Sequence, residues 1–157
     1  MEKLTPSDRD KYIKKFKDLP PDHAYDAFKN GYYYEATGVL HGFMEMQLRH
    51  ILLAFSTLNL QNDSKDIWDT NEKLNYSNLN NVLYILQLIT KDQFVILTSL
   101  NSLRNDIIHK YFHDPYEKYY FGVSHKKFHS IFKSSYNLSY DFMSKIHGMY
   151  ERYDNTL

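Results

Sequence analysis

The segment 22-DHAYDAFKNGYYYEATGVLHGFMEMQLRHILLAF-55 carries a long amphipathic pattern. It follows Leu19-Pro20-Pro21, where the prolines stop any preceding helix. Apolar residues then recur three and four positions apart, which is the spacing of a helix with one buried face. They are Tyr33, Ala36, Leu40, Phe43, Met44, Leu48, Ile51 and Leu52. The pattern predicts one helix from Asp22 to about Phe55.

The rest of the chain also has helical patterns and few residues that break them. Four further helices are predicted from apolar spacing and capping residues: Ser7 or Asp8 to about Asp18, Ser77 or Asn78 to Thr90, about 92–112, and Ser124 to about Tyr153. Polar or irregular connections cover 57–77 and 113–123. We therefore predict an all-α, up-down bundle of four to five helices. Residues 1–21 form an N-terminal helical extension and 22–157 the bundle domain.

Composition narrows the class of protein. The 157 residues suit one domain with a real core, and 43% of them are hydrophobic. Nineteen basic residues balance nineteen acidic ones, so no global field attracts nucleic acid or an anionic membrane. The absence of cysteine excludes disulfides and thiolate metal sites. The charged N-terminus has no signal-peptide run and no segment is apolar enough to cross a bilayer, so we expect a cytoplasmic protein without a membrane partner.

Polar residues with chemical potential cluster in 97-LTSLNSLRNDIIHKYFHDPY-116. At helical spacing Ile96, Leu100, Leu103 and Ile107 form the stripe that we expect to face the core. Asn105 and His109 then lie on the opposite face, whereas Arg104 and Tyr111 share a flank with Leu97 and Ile108. Arg104 and His109 are therefore roughly 140° apart around one helix.

One straight helix does not direct Arg104 and His109 at the same small ligand. Either the helix unwinds near His109, or the site is assembled from two copies of the helix across a twofold axis. Phe94 and Phe112 flank the Asn105/His109 face and would give such a dimer interface an apolar component.

The spacing Arg104-Asn105-x3-His109-x-Tyr111 resembles the signature of the HEPN superfamily (higher eukaryotes and prokaryotes nucleotide-binding). The earlier segment 31-GYYYEATGVLHGFMEMQLRHIL-52 is similar to that family's first bundle helix, with a Gly-x-Tyr-x-x-Ala start and a later glutamate. The resemblance covers most of the chain and leaves the first twenty or so residues as an extension. It implies a HEPN-like helical bundle.

Family members with an intact motif are commonly metal-independent endoribonucleases of toxin–antitoxin or defence systems. The resemblance implies that His109 is the general acid/base, that Arg104 clamps the phosphate and that Asn105 orients one of them. It also makes Tyr111 a candidate for adenylylation by a nucleotidyltransferase-type antitoxin. The chemistry is self-consistent, because histidine exchanges protons near neutrality and the arginine fork binds phosphate oxygens without a metal or cofactor.

Other interpretations of these residues remain open. The chain is alternatively a non-catalytic HEPN-like module that binds a nucleotide or a protein, which the neutral net charge favours, or the motif is a coincidence. Simpler roles also exist for individual residues. Tyr111 can serve in packing, and His41 and His50 can be partly buried or surface positions. His125 and His129 can form a solvated face, and Glu45 and Arg49 an i,i+4 ion pair.

Overall fold

A computed structural model describes residues 19–110, 119–120 and 123–154 of the chain. This part is mostly helical and contains six helices, which confirms the all-α class. They are α1 (Pro20–Lys29), α2 (Tyr33–Leu60), α3 (Ser64–Asn71), α4 (Tyr76–Ile85), α5 (Lys91–Lys110) and α6 (His125–Asp154). The first predicted helix, from Ser7 or Asp8 to Asp18, lies outside the described residues.

The prediction of one continuous helix from Asp22 to Phe55 is wrong. The segment forms α1 and α2, separated by a turn at Gly31, whose φ is +79°. Tyr32 donates its N–H to the carbonyl of Ala27 at 2.9 Å, and Gly31 donates to that of Phe28 at 3.1 Å. This pair of bonds is a Schellman motif, which ends a helix through a residue in the left-handed conformation. The eight apolar residues from which the helix was predicted begin at Tyr33, after the turn, so their spacing carried no information about it.

The polar connection 57–77 also contains more structure than predicted. The side chain of Asp63 accepts hydrogen bonds from the N–H groups of Lys65 and Asp66 at 2.9 and 3.1 Å, and this cap begins α3. The indole N–H of Trp68 donates to Glu72 at 3.0 Å at the end of the same helix. Local polar contacts therefore form a helix where few apolar residues announce one.

The ends of the later helices differ from the predictions by a few residues. Asn75, rather than Ser77 or Asn78, caps α4, because its side chain accepts the N–H of Asn78 at 2.9 Å. α4 ends at Ile85 instead of Thr90, and Gln87 follows it with a φ of 56°. Within the predicted irregular loop 113–123, Tyr119–Tyr120 (β1) pairs with Val123–Ser124 (β2) in a short antiparallel ladder.

One hydrophobic core lies between the long helices α2, α5 and α6 and is completed by α1 and α4. Its largest fully buried side chains include Phe128, Phe132, Phe142, Leu40, Met44 and Leu48. The Phe28 ring of α1 stacks on Phe132 with ring centroids 4.4 Å apart. Tyr136 and Tyr140 of α6 also donate their hydroxyls to Asp22. These contacts attach α1 to α6. The outer surface of α2 beside α5 is not covered by another described helix and forms an open groove.

Candidate functional site

Arg104 and Asn105 of α5 lie on the border between its core face and an open groove. Leu97, Leu100, Leu103 and Ile107 are buried, whereas Ile96 is only partly so. The core-facing stripe is thus rotated toward Leu97, which the sequence had placed on the flank with Arg104. As a result Arg104 is partly buried against the rest of the protein instead of extending from a free flank.

The groove beside Arg104, which we name the Arg104 cleft, has two adjoining lobes that share His41, Glu45 and Arg104. The first, the glycine lobe, has a volume of about 320 Å³. Its other lining residues are Tyr34, Thr37, Gly38, Gly42, Ile107 and Ile108. The second, the amide lobe, has a volume of about 380 Å³. Its other lining residues are Asn75, Tyr76, Ser77, Asn101 and Asn105.

Helical spacing explains why these residues meet. Asn101, Arg104, Asn105 and Ile108 lie three, four and seven positions apart on α5, so they share one face. Across the groove, Gly38 and Gly42 lie four positions apart on α2, where an added Cβ would contact nothing within 4 Å. The missing side chains keep the glycine lobe open. Asn75, Tyr76 and Ser77 form the first turn of α4, which closes the amide lobe.

Arg104 is oriented inside the cleft by its neighbour. Its guanidinium donates a hydrogen bond to Oδ1 of Asn105 at 3.1 Å. Among the described residues no carboxylate forms an ion pair with Arg104. A partly buried guanidinium that forms no ion pair with the described carboxylates is suited to bind an anion such as phosphate.

His41 lies beside Arg104 and is only 8% exposed. Its Nε2 donates to Oδ1 of Asn101 at 3.0 Å, and its ring stacks on Tyr76 with centroids 4.2 Å apart. Burial lowers the pKa of His41 from its ordinary value, and the positive charge of Arg104 lowers that pKa further. The Asn101 hydrogen bond and the charge of Glu45 act in the opposite direction but do not cancel the shift. His41 is therefore neutral at pH 7.

Glu45 is held at the edge of the cleft by Arg49. The ion pair expected from their spacing is present, with Arg49 Nη2 2.7 Å from Glu45 Oε1. Arg49 also donates to the carbonyls of Asn71 and, at 2.8 Å, of Leu74, and the Asn71 amide donates back to the Arg49 carbonyl at 2.8 Å. These bonds attach the α3–α4 connection to α2, and so position the first turn of α4.

The structure describes the side chains of two of the four site residues that the sequence predicts. Arg104 and Asn105 lie together in the cleft, and α5 remains helical through His109 and Lys110. The backbone is therefore helical through Lys110, the chain directly after it lies outside the described residues, and both predicted arrangements of the site stay predictions. The side chain of His109 and all of Tyr111 lie outside the described residues, as does Phe112. Phe94 stacks on Tyr84 of the same chain, with centroids 4.7 Å apart.

His41, Asn101 and Tyr76 were not predicted as site residues. The hydrogen bond between His41 and Asn101 joins positions sixty apart in the chain, so no local sequence pattern contained it. The usable signal was on α2, where Gly38, His41, Gly42 and Glu45 lie three and four positions apart. Two glycines on the exposed face of a long helix weaken it, and they therefore indicate a surface that must stay open.

The paired histidines of α6 have a different environment. His125 and His129 are exposed, as expected for a solvated face. Nε2 of His129 lies 3.2 Å from the Tyr33 hydroxyl, and its ring meets Phe28 edge-on at 4.7 Å. Over the described ranges, no three His, Asp or Glu side chains come together as a metal-binding group.

Comparisons of the chain with protein-family models, with curated proteins and with solved structures found no match. The HEPN resemblance therefore stays a prediction based on the motif residues. In the part of the chain that the structure describes, no helix has the length and apolar character required to span a membrane.

Proposed function

We propose that this chain is a HEPN-type, metal-independent endoribonuclease that cleaves RNA by attack of a ribose 2′-hydroxyl on the neighbouring phosphate. The observation that carries the proposal is the position of Arg104. It lies partly buried in an open cleft, is oriented by Asn105 and is paired with no carboxylate among the described residues. Arginine in this state binds a phosphodiester and stabilises the additional charge of the transition state.

The proposed roles follow the motif. Arg104 holds the scissile phosphate, Asn105 keeps the guanidinium in place and His109 transfers protons. The enzyme is a HEPN-like up-down bundle that works as a homodimer in the cytoplasm, and His109 of one protomer reaches the cleft of the other. This arrangement needs a twofold interface, which would bring the same helix end of both protomers together. A nucleotidyltransferase-type antitoxin would silence the enzyme by adenylylating Tyr111.

A complementation experiment tests the site and its composite character together. Arg104→Ala and His109→Ala are each incubated with RNA in EDTA, alone and after mixing under conditions that exchange protomers. We expect each variant alone to cleave RNA at least about 10²-fold more slowly than the wild type and the mixture to regain a measurable part of the wild-type rate. The mixed dimer keeps one site with an intact arginine and an intact histidine from different protomers. A wild-type rate in either variant alone, with the fold intact, would overturn the assigned roles.

The alternative is a non-catalytic HEPN-like module that binds a nucleotide or a protein partner. The net charge of zero supports it, because binding of nucleic acid is largely electrostatic. Titration of the wild-type chain with mononucleotides and with RNA separates the two functions. Tight nucleotide binding without RNA cleavage would favour the module.

A further inference from the structure

We propose that His41 is a catalytic residue of the Arg104 cleft and is the base that removes the proton from the attacking 2′-hydroxyl. The inference rests on the proposed endoribonuclease function and adds a residue that the motif does not contain. It divides the chemistry between a base from α2 and a second histidine, His109, that protonates the leaving group.

The location of His41 carries the argument. It lines both lobes of the cleft and shares them with Arg104, so a phosphodiester held by that arginine lies against the imidazole. Because Gly38 and Gly42 have no side chains, the glycine lobe leaves room for a ribose and its base to reach the imidazole. No other described histidine lines either lobe of the cleft.

The contacts of His41 select the tautomer that a base requires when the ring is neutral. Because an amide oxygen only accepts hydrogen bonds, the bond to Asn101 Oδ1 places the ring proton on Nε2. Nδ1 then carries the lone pair that can accept a proton. Stacking on Tyr76 holds the ring plane, so the residue is orientated before substrate arrives.

Burial, and to a smaller degree the charge of Arg104, lowers the pKa of His41, and nearby groups partly offset this effect. Arg104 of α5 opposes protonation and Glu45 of α2 favours it, whereas Tyr76 of α4 is neutral because burial raises its own pKa. Once the 2′-hydroxyl proton is transferred to Nδ1, Glu45 stabilises the resulting imidazolium. A neutral base with a nearby carboxylate is suited to work near neutral pH.

The proposed step balances as follows. Nδ1 of His41 takes the proton from O2′ while O2′ forms a bond to phosphorus. The bond between phosphorus and O5′ breaks, and O5′ takes a proton from the protonated His109. The products are a 2′,3′-cyclic phosphate and a 5′-hydroxyl. Each turnover leaves His41 protonated and His109 neutral, and proton exchange with water restores both.

The contrasting role is structural, since a buried histidine that bonds an asparagine can simply join two helices. Two substitutions separate the roles. His41→Gln retains an N–H that can donate to Asn101 but cannot take up a proton in the pH range of the assay. Asn101→Asp retains the acceptor and adds a negative charge, which raises the pKa of His41. His50→Gln is the matched control, because it is the same substitution in the same helix, outside the cleft.

The experiment measures the rate of RNA cleavage by the full-length protein in EDTA against pH, together with thermal unfolding. We expect His41→Gln to lose about 10²- to 10⁴-fold in rate. Asn101→Asp should move the acidic limb of the profile to higher pH, and His50→Gln should match the wild type. A His41→Gln protein with wild-type rate and profile would overturn the inference. So would an unmoved acidic limb in Asn101→Asp, which decides the matter if His41→Gln does not fold.

The two proposals fail in different ways. If the folded wild-type protein does not cleave RNA at any pH, the endoribonuclease function is wrong and the role of His41 is lost with it. If the wild type cleaves RNA and His109→Ala does not, yet His41→Gln behaves as wild type, the function stands and only this inference is wrong.

Discussion

Nε2 of His41 lies 3.0 Å from Oδ1 of Asn101, and this hydrogen bond joins the N-terminal third of α2 to α5 one helical turn before Arg104. It fixes the spacing of the two walls of the Arg104 cleft. It also holds a buried, neutral imidazole beside a guanidinium that no described carboxylate neutralises. The packing of α2 against α5 therefore determines three features of the site. They are the open glycine lobe, the fixed orientation of His41 and the exposure of Arg104 to the cleft.

The first prediction separates a catalytic role of Arg104 from a structural one. Arg104→Ala should lower the rate of RNA cleavage by about 10²- to 10³-fold, since it removes a charged donor from the transition state. Its free energy of unfolding should change by less than about 1 kcal/mol, because its one described hydrogen bond goes to the adjacent Asn105. Parallel cleavage and urea-unfolding measurements check both values. A large loss of stability would assign Arg104 to the fold instead.

The second prediction concerns the pH dependence of stability. Burial lowers the pKa of His41, so the unfolded chain takes up this proton at a higher pH than the folded one. The contribution of His41 to the free energy of unfolding is therefore complete above the ordinary histidine pKa, about 6.5. It is lost as the pH falls toward the lower pKa of the folded state. Between about pH 7 and pH 5, urea unfolding should show a smaller loss of stability in His41→Gln than in the wild type. Equal losses would contradict the burial of His41.

The third prediction contrasts two glycines of different conformation. At Gly42 an added Cβ meets nothing within 4 Å, so Gly42→Ala should raise the free energy of unfolding by about 0.8–1 kcal/mol. Gly31, with a φ of +79°, is the control, and Gly31→Ala should lower it by about 1–2 kcal/mol. Urea titrations of both variants measure these opposite signs. A destabilised Gly42→Ala would mean that the glycine lobe is filled in the folded protein.

The fourth prediction concerns the contacts of Arg49. Arg49→Ala should destabilise the protein by about 2–4 kcal/mol, because it leaves the carbonyls of Asn71 and Leu74 without their charged donor. Lys29→Ala is the comparison, because Lys29 pairs with Asp26 on the exposed surface at 2.7 Å. Such an exposed pair is screened by water, so Lys29→Ala should have a much smaller effect than Arg49→Ala. Similar effects of the two substitutions in denaturant titrations would rule out Arg49 as an anchor of the α3–α4 connection.

Sequence patterns predicted the parts of this structure that depend on neighbours along the chain. The spacing of Leu40, Met44 and Leu48 identified the buried face of α2, and the motif directed attention to Arg104 and Asn105. The turn at Gly31 was missed because the apolar residues that predicted the helix all follow it. α3 was missed because polar caps, not apolar residues, begin it.

The site was predictable only where its residues share one helix. Glu45 and Arg49 are four apart and their ion pair was expected. The bonds from Arg49 to the carbonyls of Asn71 and Leu74 cross more than twenty residues and were not. The contact between His41 and Asn101 is longer still, since it depends on how α2 packs against α5. A polar residue at the margin of a helical stripe has no sequence signature that separates a core position from a cleft.

The most direct measurement compares cleavage of an RNA oligonucleotide and its 2′-O-methyl counterpart by the purified wild-type protein in EDTA. The account predicts that the RNA is cut to fragments ending in a 2′,3′-cyclic phosphate and that the methylated strand stays intact, because its 2′-oxygen cannot attack. Two intact strands, with the protein folded and dimeric, would contradict the account. So would cleavage of both strands, since that requires a nucleophile other than the 2′-hydroxyl.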